Sequence, residues 1–249
     1  SSGYLWRGSS NYDVILAPGG IDSNAVLALH GNGTDASTTV TDSSGGAKTV
    51  SANGNAQIDT AQSKFGGASI LLDGDGDYLS LIDHADWDFG TGDFTVDLWI
   101  RFGEVGVDSQ LIFDRGDATP FSLVHNSAGN FFLQFNGSIV KTEAGGISAN
   151  TWYHQAIVRS GTNLMLFKDG VQLGSPTTNS SDLTGTAALA IGVQQPSACC
   201  GFKGHIDELR VSKGVARWTS NFTPPTAEYT GASGSATVIS NAFTEPVAP

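Results

Sequence analysis

Acidic side chains offer the first candidate chemistry in this sequence. Asp207 lies in a stretch, 203–212, whose alternation predicts a strand with this carboxylate beside Leu209 and Val211 on the inward face. A carboxylate buried there must be hydrogen-bonded, paired with a cation such as Arg210, or bound to a metal ion. The sequence therefore predicts a partnered Asp207, with a metal ion and backbone N–H groups as open alternatives.

Tryptophan side chains offer a second chemistry, the stacking of sugar rings. Trp99 is predicted on the polar face of a strand, between Asp97 and Arg101, and an aromatic ring beside polar groups is a common way to hold a sugar. Trp87 and Trp218 are further candidates on a sheet face or loop. The alternative for Trp99 is packing beneath another element.

Catalytic patterns are missing from the sequence. The histidines show no metal-ligand spacing, and no Gly-x-Ser-x-Gly elbow occurs. Cys199 and Cys200 lie in a Gln/Pro/Ser/Gly stretch without a basic neighbour to activate a thiolate. The sequence therefore predicts a protein that is not an enzyme.

The charge balance excludes some partners. The formal net charge is −12, from 24 acidic and 12 basic residues, and no basic residue lies between Lys64 and Arg101. Nucleic acids and anionic membranes are bound by clustered basic side chains. We therefore predict neither a nucleic-acid nor a membrane partner.

Short strands are the elements that must position these residues. Residues 93–102 alternate between apolar side chains and a set that contains Trp99, which is typical of a half-buried antiparallel strand. Asn136-Gly137 and Asp169-Gly170 predict two-residue hairpins, because both dipeptides tolerate positive φ. Further strands are predicted at 25–30, 69–73, 77–83, 109–114, 120–126, 130–135, 138–142, 152–159, 162–168, 171–174, 187–193 and 203–212. Many short strands without helical patterns predict an all-β sandwich.

Several segments resemble the laminin G-like, concanavalin A-like lectin/glucanase superfamily, in the branch common in phage structural and environmental bacterial proteins. The segments are 63–69 (SKFGGAS), 72–79 (LDGDGDYL), 89–99 (FGTGDFTVDLW), 150–154 (NTWYH), 167–170 (FKDG) and 204–217 (GHIDELRVSKGVAR). The resemblance covers roughly residues 25–230 and implies an antiparallel jelly-roll β-sandwich. Glucanases of this type carry closely spaced Glu-x-Asp-x-x-Glu carboxylates, which this sequence lacks.

The resemblance also implies a structural Ca²⁺ site. In the family, an aspartate at the place of Asp207 often holds calcium together with an early loop, here residues 30–34. That loop lacks the acidic residue common in the family, so Asn32 and backbone carbonyls are the candidate ligands, with Asp42 as a further one. The implied ligands are Asp207, Asn32 and Asp42.

Three parts follow from this interpretation: an N-terminal arm (1–24), a laminin G-like jelly-roll domain (25–230) and a C-terminal arm (231–249). Residues 237–243 have enough β character to add to a neighbour's sheet edge, which predicts a homo-oligomer or contacts with other virion proteins. The main interpretation is a non-enzymatic structural or adhesive protein on a virion surface, as a capsid decoration or tail component. The alternative is a secreted or cell-surface carbohydrate-binding lectin module with glycan partners.

Overall fold

Antiparallel strands in two layers make up the protein, for which a computed structural model describes residues 20–112, 121–193 and 200–231. Within these ranges there are fifteen strands, one short 3₁₀ helix (Ala85–Trp87) and no α-helix. The strands are β1 (Ala25–Leu29), β2 (Ser51–Asn53), β3 (Gln57–Asp59), β4 (Ser69–Asp73), β5 (Tyr78–Leu81), β6 (Phe94–Phe102), β7 (Ser109–Ile112), β8 (Ser122–His125), β9 (Asn130–Phe135), β10 (Ser138–Ala144), β11 (Trp152–Ser160), β12 (Asn163–Lys168), β13 (Val171–Thr178), β14 (Leu189–Ile191) and β15 (Lys203–Lys213). The predicted all-β class is confirmed.

The larger layer is a sheet in the order β13-β12-β11-β6-β15-β4-β3, with β1 also paired to β15. The second layer consists of two sheets, β10-β9-β8-β7 and β14-β5-β2. Apolar side chains from both layers form one core cluster, so the architecture is a β-sandwich. No described helix is long and apolar enough to cross a membrane.

Strand β6 shows both a confirmed and a wrong prediction. Its predicted apolar set, from Phe94 to Phe102, lies in the core as expected. The strand is not half-buried, however, since Thr95 and Asp97 are fully buried on the opposite, outer face. Residues 215–230 cross that face and cover it; the hydroxyl of Thr95, for example, donates to the Val215 carbonyl at 3.0 Å.

Both predicted hairpins are present. Asn136 and Gly137 have φ of +50° and +74° between the paired residues Phe135 and Ser138. The Asp169-Gly170 turn has the same geometry between β12 and β13. Strands β2 and β3 were not predicted, because each has three residues and only one apolar side chain among them.

A buried polar network fastens residues 215–230 to the outer face of the large sheet. Arg210 donates to Asp97 through Nε at 3.1 Å and Nη2 at 3.2 Å, and the Tyr229 hydroxyl also donates to Asp97. Burial opposes the ionisation of Asp97, but Arg210 and these hydrogen bonds hold the pKa of its carboxyl below the ordinary value. The Tyr229 ring lies 4.0 Å from the Arg210 guanidinium.

The predicted terminal arms fall mostly on residues 1–19 and 232–249, outside the described residues, as do residues 237–243. At the described ends, the Ile21 N–H donates to the Thr230 carbonyl at 2.9 Å. The two ends of the domain therefore lie side by side.

Candidate functional site

A β-bulge in β15 places the candidate site. Asp207 pairs with Trp99 of β6, but the next pair joins Arg210 to Asp97, and Glu208 between them has a left-handed φ of +50°. The bulge inserts a residue and reverses the alternation of the strand. The predicted face of Asp207 is therefore wrong: it lies on the outer face with Trp99.

Backbone N–H groups are the partners of the Asp207 carboxylate. Its Oδ2 accepts the N–H of Lys64 at 2.7 Å and that of Phe65 at 3.1 Å. Its buried Oδ1 has no hydrogen-bond partner in the described part of the chain. Burial raises the pKa of Asp207 to about 7. Asp207 thus anchors the loop that carries Lys64 and Phe65 against β15.

That loop forms one wall of a pocket over Trp99, here called the Trp99 pocket. Its volume is about 330 Å³. The ring of Phe65 meets the Trp99 ring edge to face at 5.9 Å, and Nζ of Lys64 lies 3.7 Å from the Trp99 centroid. The lining residues are Lys64, Phe65, Trp99, Thr223, Pro224, Pro225 and Thr226.

The lining of the pocket is mostly apolar and aromatic, with the polar side chains of one lysine and two threonines among its residues. Trp99 is 7% exposed, and its Nε1–H has no described hydrogen-bond partner. Thr223 and Thr226 also line the pocket, on either side of two prolines whose φ is fixed. Aromatic surface with a few convergent polar groups is the usual composition of a site for a small polar ligand such as a sugar.

Gly66 allows the close approach that shapes this loop. It has a φ of +59°, and a Cβ built on it would lie 1.9 Å from Asn32 Oδ1 and 2.2 Å from Glu228 Oε1. Only glycine fits both the left-handed backbone and the contact. The loop of the Trp99 pocket is therefore seated directly on Asn32 and Glu228.

Beside the pocket, carboxylates and their donors form a cluster, the carboxylate junction (His30, Asn32, Glu208, Glu228). Glu208 Oε1 contacts His30 Nδ1 at 2.7 Å, and this bond, opposed by burial, raises the pKa of the imidazole. Glu208 Oε2 accepts the Tyr229 N–H at 2.6 Å. The Asn32 amide donates to Glu228 Oε1. Each glutamate of the junction is thus bonded to a donor of the chain itself.

These donor sets do not fit the implied calcium site. Asp42 is occupied elsewhere, since its oxygens accept four hydrogen bonds, from the N–H groups of Ala28, Ser44 and Lys48 and from the Ser44 hydroxyl. Asn32 presents its amide N–H₂ to a glutamate. In the described ranges, no three His, Cys, Asp or Glu side chains are placed to hold a metal ion. A calcium ion needs six to eight free oxygen ligands.

The other two predicted tryptophans do not line the pocket. Trp87 is 1% exposed within the core, and its Nε1–H donates to the Ile82 carbonyl at 3.1 Å. Trp218 is 8% exposed and stacks on Phe222 at 4.0 Å on the outer face of the large sheet. Both rings pack against other side chains and neither lines the pocket, so their roles as sugar platforms stay predictions without a described cavity beside them.

The sequence did not predict Lys64, Phe65 or residues 223–226 as site residues. Lys64 and Phe65 belong to the segment 63–69, but only contact with Asp207, more than 140 positions away, turns them to the pocket. The Pro224-Pro225 pair marks a rigid turn without showing what it faces.

A family model (Laminin_G_3), described as the concanavalin A-like lectin/glucanases superfamily, matches residues 73–219, more than half of the chain. The chain belongs to this superfamily. The resemblance expected from the sequence is confirmed at the level of family, while no curated protein matches the sequence significantly.

Several solved structures share this fold at low sequence identity. Domain 4 of an extracellular arabinanase from Geobacillus stearothermophilus, in complex with arabinotriose, is 21% identical with a TM-score of 0.58, covering 78% of this chain and 94% of that domain. The binding domain of Paraclostridial Mosquitocidal Protein 1 is 17% identical with a TM-score of 0.60, and covers 78% of this chain and 50% of its own. The receptor-binding domain of botulinum neurotoxin D is 16% identical with a TM-score of 0.58 and the same coverage.

At such identities these similarities establish the fold alone. Together with the superfamily match they confirm the predicted jelly-roll sandwich. The chain spans about half the length of the toxin binding domains.

Proposed function

We propose that this chain is a non-catalytic carbohydrate-binding module that works outside the cell, and that the Trp99 pocket receives a sugar ring. The observation that carries the proposal is the joining of Trp99 and Phe65, from distant parts of the sequence, at a pocket of about 330 Å³. That volume is at the lower end of ligand pockets, roughly 300–1,000 Å³.

The pocket is built before a ligand arrives. Asp207 fixes the loop of Lys64 and Phe65 through two hydrogen bonds, and prolines fix the opposite wall. Pre-formed walls lower the ordering cost of binding, which matters for weakly bound ligands such as sugars.

The structural relatives support this function. The arabinanase domain was solved with arabinotriose, and the binding domain of botulinum neurotoxin DC, 15% identical with a TM-score of 0.56, with SialylT. The arabinanase is extracellular, which supports the same location for this chain.

The lining of the Trp99 pocket supports binding without catalysis. Hydrolysis of a glycosidic bond ordinarily requires two carboxyl groups on either side of that bond. No carboxylate, histidine or cysteine is among the described residues of the lining.

The virion function was inferred from the resemblance to phage structural proteins, from the terminal arms and from the missing catalytic patterns, and it stays a prediction. Residues 1–19 and 232–249, which include most of both arms, lie outside the described residues, so no described contact bears on this function.

The test is a glycan array followed by calorimetric titration of the best ligand. We expect Phe65→Ala to weaken binding about tenfold or more, which corresponds to about 1.4 kcal/mol of lost contact. The matched control is Phe132→Ala, on β9 in the other layer, where Phe132 is also half-buried. No bound glycan, or a loss caused by Phe132→Ala and not by Phe65→Ala, would overturn the proposal.

A further inference from the structure

Lys64 is the one charged side chain in the described lining of the Trp99 pocket. Its Nζ lies 3.7 Å from the Trp99 ring centroid and 5.6 Å from that of Phe65. No ion pair of this ammonium occurs among the described residues, whereas Lys48 and Lys141 pair with Asp86 and Glu143. Among the described residues, the Lys64 ammonium thus contacts aromatic rings and no acidic group.

Each acidic group near the pocket already accepts a hydrogen bond from a donor other than the Lys64 ammonium. Glu208 is bonded to His30 and to the Tyr229 N–H, and Glu228 is bonded to Asn32. Asp207 accepts backbone N–H groups, and burial, which raises its pKa to about 7, leaves it only partly ionised near neutral pH. The Lys64 ammonium therefore stays available to a ligand, although the chain as a whole is strongly acidic.

The position of Lys64 also restricts what can stack on Trp99. The ammonium lies over the ring face, and a neutral sugar must displace it from a favourable cation–π contact. A sugar that carries a carboxylate gives the displaced ammonium a new partner in a charge-assisted hydrogen bond. Lysine has three donors and no acceptor, so its partner must supply acceptors.

Resting on the proposed function, we propose that the Trp99 pocket selects sugars that bear a carboxylate, such as uronic acid units, with Lys64 as the specificity-determining residue. Trp99 and Phe65 hold the ring, and Lys64 holds the acid group.

The test compares acidic polysaccharides with their carboxyl-reduced, neutral forms, which share the same sugar backbone. The panel contains polygalacturonate, alginate and a sialylated glycan, each paired with its carboxyl-reduced form and titrated into the full chain. We expect the best acidic ligand to bind at least tenfold more tightly than its reduced form, with a difference that shrinks as salt is raised.

Lys64→Gln is the decisive variant, since it removes the charge and keeps most of the side chain. It should abolish the preference for the acidic form over the reduced form. The matched control is Lys168→Gln, because Lys168 makes the same kind of contact, 5.0 Å from the Tyr153 ring centroid, away from the pocket. This control should keep the preference.

Failure of this inference differs from failure of the proposed function. If the reduced forms bind as tightly as the acidic ones, and Phe65→Ala weakens the binding of both, the pocket binds sugars but does not select those with a carboxylate. A preference that survives Lys64→Gln also refutes the role of Lys64. If no glycan binds, or if Phe65→Ala leaves binding unchanged, the proposed function itself is refuted.

Discussion

Asp207 Oδ2 accepts the backbone N–H of Lys64 at 2.7 Å, and this bond joins the central strand of the large sheet to the loop of the Trp99 pocket. The Asp207 carboxylate thereby sets the position of Lys64, the residue proposed to select the ligand.

Asp207→Asn should change how stability depends on pH. Because the folded-state pKa of Asp207 is raised to about 7 from an ordinary 3.8, its favourable contribution is complete below about 3.8 and is lost as pH rises to about 7. Asparagine can accept the same N–H bonds without that loss. The melting temperature of the variant, relative to the natural protein, should therefore rise between pH 4 and 8.

Exposed Asp75 provides the control for this measurement, as Asp75→Asn changes the charge equally at the surface. Parallel pH curves for the natural protein and Asp207→Asn would contradict the assignment of a buried, reluctantly ionised carboxyl.

Gly66→Ala should destabilise the protein more than Gly67→Ala. Both glycines have a positive φ, at +59° and +85°, so both variants incur a left-handed strain of about 1–2 kcal/mol. Only at Gly66 would the new methyl group also collide with Asn32 and Glu228, since nothing lies within 4 Å of the one at Gly67. Urea unfolding measures the difference, and equal losses would show that the loop is not seated on the junction.

Tyr229→Phe should loosen the segment that covers the outer face. The hydroxyl donates to the buried Asp97 carboxylate, and a hydrogen bond to a charged group contributes about 1.5–3 kcal/mol. Tyr153→Phe is the control, because the Tyr153 hydroxyl only accepts the exposed Ser148 N–H. Denaturant titration should show the larger loss for Tyr229→Phe; similar losses would mean that the Asp97 network does not hold the segment.

Calcium should leave the stability of the natural protein unchanged. The glutamates of the carboxylate junction are bonded to chain donors, and the described residues offer no three-ligand metal group. Melting curves in EDTA and in calcium chloride should therefore coincide. A saturable rise in melting temperature with calcium would contradict this reading of the junction.

His30→Asp should create the response to calcium that the natural protein is expected to lack. It replaces the donor to Glu208 by a fourth carboxyl group near Asp207 and Glu228, which should lower stability at neutral pH and create a response to calcium. His84→Asp, at a half-exposed histidine in the other layer, should create none. The absence of any difference between the two variants would contradict the proposed role of His30.

The sequence predicted the features of the fold that depend on a few neighbouring residues. Alternation in β6 predicted which side chains reach the core. One Asn-Gly and one Asp-Gly dipeptide predicted the two hairpins. The same alternation could not show that the outer face is buried too. Thr95 and Asp97 tolerate burial only because residues 215–230 supply partners from a distant part of the chain.

The bulge explains the main error at the site. Glu208 has a left-handed backbone, but the sequence gives no sign of it, because the residue is not a glycine. The one residue inserted at this bulge places Asp207 on the outer face of the sheet and not on the predicted inward face. On the outer face, the Asp207 carboxylate meets its partners, the N–H groups of Lys64 and Phe65. Trp99 was correctly flagged as facing away from the core, but its neighbours in the pocket come from long-range contacts that a local pattern cannot reveal.

The central claim is that a sugar occupies the Trp99 pocket, and the most direct test is a ¹H–¹⁵N NMR titration with the tightest glycan from the array. The Nε1–H signal of Trp99, identified by its loss in Trp99→Phe, and the amide signals of Lys64 and Phe65 should shift together and saturate at one affinity. Saturable shifts on β9 around Phe132, with these three signals unmoved, would contradict the account.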